Sequence, residues 1–407
     1  MKIQGQFIKT RQETEETTMR RKNSRRFLSR RAILAAGAML AMAALPARAE
    51  DPVKAGMSGP FSGGLSLLGQ SVRDGVEAAF SEINDQGGVN GRKLQFIAED
   101  DGYEPMRTIA SARKLVEQDK VAALLAVTGT ASSAALSPFV AESKTPLLFP
   151  YAFAHSLTTP LNRDVFTTLP EVRVQMMVLA NYILKELRQT KVAAIYQNDD
   201  FGQDAVAGLD ERFGDAKVPL VKLPFDRGAT NFSGVVAQAK AAGVEHVVFL
   251  GIPKDAALVM REANNLGWKP QFSGHNALGD PQTFQLAGPL AEGAIAIAVM
   301  EPLDSDKPAV RTFLAAQHKY KPNTKPTTYS MHGYQAGRIF AEVLRRSGGK
   351  TDEASIVSSL ESLKAYDTGL MAPITFAPDQ HAGGQAVAIM KAEGGKWKMI
   401  SGWLAAN

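Results

Sequence analysis

An α/β fold, built as two doubly wound layers of similar size, is predicted by three observations on this 407-residue chain. Short apolar strands alternate with amphipathic helices from Val53 onward, the pattern of a parallel sheet with helices on both faces. The alternation restarts near Met176 and runs again to Ser273, so one architecture is repeated. The length also exceeds what one ordinary core accommodates, which makes two domains the first expectation.

In the first layer, Val53–Gly56 reads as a strand and leads into the glycine-rich loop Ser58–Gly69. A helix follows with Val72, Val76, Phe80 and Ile83 on one stripe, closed by Gly87-Gly88. Leu94, Phe96 and Ala98 alternate as a half-buried strand, and Pro105 opens a helix with Met106, Ile109, Ala112 and Val116 inward. Val121–Val127 is a continuous apolar run, as expected of a strand covered on both faces. A helix from about Ser133 and a strand at Leu147–Phe149 complete the layer.

The second layer opens on the helical stripe Met176, Leu179, Ala180, Ile183, Leu184 and Leu187. Val192–Tyr196 is a strand, Asp199-Asp200-Phe201-Gly202 a turn, and Val206, Leu209 and Phe213 mark a helix. Strands at Val218–Leu223, His246–Gly251 and Gln271–Ser273 are separated by helices around Val235–Ala239 and Ala256–Leu266. After Pro302 come helices near Val310–His318, His332–Arg346 and Ala354–Leu363. Ile374–Phe376 then reads as a strand, and Glu393-Gly394-Gly395-Lys396 as a hairpin turn.

The formal charge of +5 is local. Residues 1–49 carry 11 of the 46 basic and 3 of the 41 acidic residues, so the remainder is formally −3. A near-neutral body gives no electrostatic case for nucleic acid or an anionic membrane. Ser29-Arg30-Arg31-Ala32-Ile33-Leu34 fits a twin-arginine export signal, the apolar run Ala32–Leu45 follows, and Ala47-Arg48-Ala49 supplies a cleavage site. Residues 1–49 are therefore expected to be a removed leader, Sec export being the alternative route and Met19 an alternative start. The expected location is the periplasm. With no cysteine, disulfides, thiolate nucleophiles and cysteine metal sites are excluded.

In open α/β sheets, ligands bind beyond the carboxyl ends of the strands, where helix N-termini present unpaired N–H groups. The loops at those positions are Ser58–Gly69, Thr128–Ser133, Pro150–His155, Gln197–Gly202, Gly251–Asp255 and Gly274–Asp280. They are rich in Ser, Thr, Gly, Asn and aromatics and poor in Lys and Arg, which suits neutral hydrogen bonding and stacking rather than phosphate. Enzyme templates fail. The first loop lacks G-x-G-x-x-G, and Gly56-Met57-Ser58-Gly59-Pro60 misses the G-x-S-x-G elbow at its last position. The six histidines show no metal-ligand spacing, so neither metal nor cofactor is expected. His155 and His275 lie on candidate loops and read as solvated loop histidines. Asp100-Asp101 and Asp199-Asp200 read as helix caps and turn formers, because adjacent side chains diverge.

M-S-G-P-F-S-G, I-N-D-Q-G-G-V-N-G-R-K-L, E-D-D-G-Y-E-P, N-D-D-F-G-Q-D, V-F-L-G and R-E-A-N-N-L-G-W-K-P-Q-F-S-G stand in this order from Val53 onward. The chain thereby resembles the leucine/isoleucine/valine-binding family, the type I periplasmic solute-binding proteins of ABC importers. The resemblance implies two Rossmann-like lobes (the type I periplasmic binding protein fold) joined by a three-strand hinge, a ligand in the cleft, closure by hinge bending, and no catalysis. Residues 50–170 with 300–372 would form the first lobe, and 171–299 with 373–407 the second.

By the same resemblance, Thr130, Ser132 and Ser133 match the loop that receives a ligand carboxylate, and Phe201 matches an aromatic that covers the ligand. Tyr151, Ala152, Phe153, Ile252 and Asn276 complete the candidate wall, with Phe61 and Ser66 on the first loop. Two positions depart from the family pattern. Phe153 stands where amino-acid binders tend to have a threonine, and Asn276 where they tend to have a glutamate that pairs the ammonium. An Asn cannot neutralise a buried cation, and an unpaired one costs several kcal/mol. The expected ligand is an amino acid or a carboxylate or amide with an apolar or aromatic body, delivered to an ABC permease of the inner membrane. The alternatives are a ligand-sensing subunit of a membrane receptor and, from another class, an exported cofactor-dependent α/β enzyme.

Overall fold

The computed structural model of the protein describes residues 51–406. The expected export leader at 1–49 lies outside them. The first sheet is assembled from β1 (Val53–Gly59), β2 (Leu94–Asp100), β3 (Ala123–Leu125), β4 (Leu147–Leu148) and β5 (Val165–Phe166). Its strands are all parallel in the order β2-β1-β3-β4-β5, connected by α1 (Ser66–Asp85), α2 (Pro105–Arg113) and α3 (Thr130–Ser143). After α4 (Val172–Lys185) the second sheet alternates β6 (Val192–Gln197), α5 (Asp200–Asp215), β7 (Leu220–Phe225), α6 (Ser233–Ala241), β8 (His246–Leu250), α7 (Pro253–Asn265), β9 (Gln271–Gly274), α8 (Pro281–Ala287) and β10 (Ile295–Ala298). Three helices follow, α9 (Pro308–Tyr320), α10 (Thr328–Arg346) and α11 (Glu353–Glu361), and then β11 (Ala386–Glu393), β12 (Lys396–Met399) and β13 (Leu404–Ala405).

The chain returns to the second sheet at its end. Strand β11 adds antiparallel to β10, carries β12 across the Glu393–Lys396 turn, and pairs β13 at its other end. Three connecting segments run side by side between the sheets. Thr167 N donates to His381 O at 3.0 Å, Gly383 N to Thr167 O at 2.8 Å, and Glu301 N to Leu370 O at 2.8 Å. The type I periplasmic binding protein architecture, two α/β lobes on a three-stranded hinge, is thus present.

Helices α9 and α10 pack on α1 and complete the first lobe's cover. The α1–α10 crossing depends on absent side chains. A Cβ on Gly75 would lie 1.9 Å from Ser330 O, and one on Gly333 would lie 2.0 Å from Val72 O. The backbones touch there, and the capping box of Thr327 and Ser330 fixes where α10 begins.

Several elements differ from the sequence reading. The apolar run Val121–Val127 gives only three residues of strand, because Ala126 adopts φ 57° and leaves the ladder. Phe149, at φ 52°, likewise ends β4. These left-handed residues turn the chain out at the carboxyl edge of the sheet. The helix read from about Ser133 begins at Thr130, and the turn at 199–202 is the first turn of α5, capped by Asp199. Ile374–Phe376 forms no strand, since its backbone bonds are divided among Tyr366, Gly383 and Leu363. Strands β5 and β10 are missing from the sequence reading, although turn residues precede each, at residues 159–164 and 288–293. Among the described residues no helix is long and apolar enough to cross a membrane.

Candidate binding cleft

The carboxyl ends of both sheets face a cavity of about 330 Å³. Its first-lobe wall comes from Pro60, Leu65 and Leu68 after β1, Tyr103 after β2, and Thr128–Thr130 after β3. The second-lobe wall comes from Gln197 and Phe201 after β6, Arg227 after β7, Ile252 and Asp255 after β8, and His275 and Asn276 after β9. Tyr151, Phe153 and Tyr329 form the floor nearest the hinge.

Aromatic packing builds that floor. The Tyr151 ring meets Phe153 edge-on at 5.1 Å, Tyr329 at 5.4 Å and His332 at 5.3 Å. His332 is fully buried, and its Nε2–H donates to Phe149 O at 3.0 Å. Burial holds its pKa down at about 4, so a neutral imidazole backs Tyr151. Across the cavity Phe201 packs on His275 at 4.8 Å. Nε2 of His275 donates to Gly251 O at 2.8 Å, and burial again disfavours its charged form.

Three of the contacts between the two sides lie at or beside the cavity. Asn276 Nδ2 donates to the Tyr151 hydroxyl oxygen at 3.0 Å. The Arg227 guanidinium sits 4.4 Å from the Tyr103 ring centre and pairs with Asp199 at 2.7 Å. His155 N donates to Asp204 Oδ2 at 2.7 Å. Gly129 makes room for Tyr103, since a Cβ there would lie 2.1 Å from that ring, and its φ of 113° suits only glycine.

Helix α3 opens onto the cavity with Gly129 as its N-cap and no side chain capping it. Its first N–H groups therefore lack intrahelical partners and face a site suited to an anion. Thr130 Oγ1 accepts from Phe153 N at 3.3 Å, leaving its own O–H to donate.

Of the residues singled out from sequence, Thr130, Tyr151, Phe153, Phe201, Ile252 and Asn276 line the cavity. Five do not. Ser132 Oγ lies 3.0 Å from Thr108 Oγ1, which donates to Asp101 at 2.9 Å beside Ser58 at 2.8 Å. It belongs to a buried network beneath the cleft, where burial raises the Asp101 carboxyl against three hydrogen bonds. The Ser133 hydroxyl is buried without a hydrogen-bond partner among the described residues. Ala152 alternates away from Tyr151 and Phe153 into the apolar cluster of Val127, Leu136 and Phe139. Phe61 is drawn outward, its N–H bound to Asp100 at 2.8 Å and its ring beside Arg73 at 5.0 Å. Ser66 starts α1 and leaves the cavity contact to Leu65 and Leu68.

The two aspartate pairs act as structural anchors. Asp100 and Asp101 hold the loops of residues 61–62 and 102–103, and Asp199 caps α5. Tyr103, Arg227, Tyr329 and Asp255 escaped the sequence reading. Tyr103 stands in the E-D-D-G-Y-E-P motif and Asp255 ends the Gly251–Asp255 loop, but nothing in either stretch marks the side chain as cavity-facing.

A second cavity, of about 410 Å³, shares Tyr151 and Asn276 as a wall and is otherwise lined mainly by apolar groups such as Phe284, Met300 and Trp397. Its buried acid, Glu301, is already paired with Lys307 at 2.8 Å and Ser305 at 3.0 Å. The smaller cavity is where open helix ends and uncommitted polar groups converge.

A profile of the periplasmic binding protein family matches residues 52–396. The Leu/Ile/Val-binding protein homolog 3 of Brucella melitensis is 25% identical over 349 residues, covering 84% of this chain and 92% of its own. A solved structure of a possible leucine/isoleucine/valine-binding protein from Rhodopirellula baltica is 25% identical, with a TM-score of 0.81 over 88% of this chain and 98% of its own. A branched-chain amino acid ABC transporter from Thermus thermophilus with bound valine shares the fold, at 21% identity and a TM-score of 0.81 over 88% and 97%.

Proposed function

We propose that this chain, which belongs to the periplasmic binding protein family and to its leucine/isoleucine/valine-binding group, captures a small organic solute for an ABC importer. Proteins of this family are exported solute binders rather than enzymes. The solute enters the cavity between the lobes, contacts both, and thereby stabilises the closed form that a membrane permease reads. The single observation that carries this reading is the convergence of the carboxyl ends of both sheets on one cavity with an uncapped helix N-terminus.

The residues assigned to the solute are Thr130, Tyr151, Phe153, Phe201, Ile252 and Asn276. The uncapped start of α3 takes a carboxylate, and Phe153 and Phe201 enclose an apolar or aromatic body. We assign residues 50–170 with 300–372 to the first lobe and 171–299 with 373–407 to the second. The packing of α9 and α10 on α1 and the pairing of β11 with β10 support this division. Residues 1–49 are assigned as a leader read by the twin-arginine route and removed after Ala49.

Calorimetry with small amino acids, aromatic acids and amides, paired with solution scattering, tests the reading. It predicts reversible one-to-one binding without turnover and a smaller radius of gyration in the bound state. Turnover of a bound solute, or binding without compaction, contradicts it. Micromolar binding of leucine with all aromatic acids silent excludes an aromatic body and leaves an apolar one.

A further inference from the structure

Asp255 is a carboxylate with no partner among the described residues. It is 3% exposed, lines the cleft cavity, and makes no side-chain hydrogen bond or ion pair. The other buried or half-buried carboxylates near the cleft are committed. Asp101 accepts from Ser58, Thr108 and Tyr103 N, Asp199 from Gly202 N and Arg227, and Asp280 from Gln282 N and Thr328. Asn276 is committed too, with its Nδ2 on Tyr151.

Burying an unpaired carboxylate is costly, and burial pushes the Asp255 carboxyl up to about 6, with neighbouring Lys254 opposing. Its place in the first turn of α7 offsets part of that cost through the helix dipole but supplies no hydrogen bond. The remaining titratable groups of the cavity wall are Tyr103, Glu104, Tyr151, Arg227, Lys254, His275 and Tyr329. None of them pairs with it. The cavity therefore has two polar ends, an anion-seeking one at the start of α3 and a cation-seeking one at Asp255.

We infer that Asp255 is the specificity-determining contact for a protonated amine on the solute, supplying the charge that the neutral Asn276 does not. This inference rests on the solute-binding reading above and narrows its substrate class to zwitterionic amino acids. The neutral residue at 276 then does not disfavour an ammonium, because the complementary charge stands on α7.

The test is calorimetry on the full chain with two matched pairs, L-leucine against 4-methylpentanoate and L-phenylalanine against 3-phenylpropanoate. At least one amine-bearing member is expected to bind wild type tenfold or more tightly than its des-amino partner. Asp255→Asn should reduce that ratio below threefold, and Asp255→Glu, which keeps the charge, should hold it above threefold. Equal ratios in wild type and Asp255→Asn overturn the inference, as does a des-amino acid binding wild type as tightly as its partner. Loss of the ratio in Asp255→Glu as well as in Asp255→Asn assigns a structural role and also overturns it. If neither pair binds, a thermal-shift screen of the other amino acids alongside amine-free metabolites separates the readings. Hits confined to amine-free compounds overturn only the Asp255 assignment, and complete silence overturns solute binding as well.

Discussion

Asn276 donates its amide to the Tyr151 hydroxyl at 3.0 Å, joining the loop after β9 to the floor of the first lobe. The bond also forms the partition shared by the cleft and the larger cavity behind it. It exists only where the lobes meet, so it belongs to the energetics of closure rather than of either lobe. Tyr151→Phe keeps the ring contacts with Phe153, Tyr329 and His332 and removes the bond. A neutral hydrogen bond contributes about 0.5–1.5 kcal/mol. Calorimetry should therefore show solute affinity falling roughly two- to tenfold, with the melting temperature of the free protein nearly unchanged.

Arg227 and Tyr103 form a second contact between the lips of the cleft. It combines a cation–π approach of 4.4 Å with the Arg227–Asp199 pair. Both groups are partly exposed, so the contribution is about 0.5–1 kcal/mol and acts on the closed form. Arg227→Met should raise the dissociation rate of the solute a few-fold while leaving association nearly unaltered. Stopped-flow fluorescence measures both rates.

The α1–α10 crossing predicts a stability effect without a direct binding effect. A methyl on Gly333 must displace the Val72 carbonyl. Overpacking of this kind costs about 1–3 kcal/mol. Denaturant unfolding of Gly333→Ala should show that loss, and Gly348→Ala, where a Cβ meets open space at the end of α10, should act only through its backbone φ of 67°.

Acid sensitivity should come from buried histidines. His246 and His332 have folded pKa values near 4 against an ordinary value of 6.5, with burial the leading cause. The unfolded chain binds more protons between those values, so stability falls as pH drops from about 6.5 towards 4. His332→Gln, which retains an N–H donor, should flatten part of that slope in thermal melts. Asp255 runs the other way. Its folded pKa is raised from 3.8 to about 6, so the free protein loses stability as pH rises through that interval, and Asp255→Asn removes the effect.

The alternation of strands and helices was legible because each element's periodicity is local. The cavity wall was legible where a loop directly follows a strand, as for Thr130, Phe153 and Phe201. Side-chain direction within those loops was not. Ser132 lies two residues beyond Thr130 but turns into the Asp101 network, and Ala152 lies between two cavity residues but faces the core. Phe61 was misplaced because Asp100, distant in sequence, captures its backbone. The shortening of β3 depended on a left-handed Ala126, which no propensity signals. Asp255 looks in sequence like any acid in a helix's first turn, and only burial without a partner distinguishes it.

The central claim, capture of a small solute between the lobes, is tested most directly by mass spectrometry of the protein purified natively from its own periplasm. One low-mass solute carrying an amine and a carboxylate is expected, near one per chain, released on denaturation and depleted in Asp255→Asn. A protein that retains no small molecule and takes none up from periplasmic extract would contradict capture between the lobes.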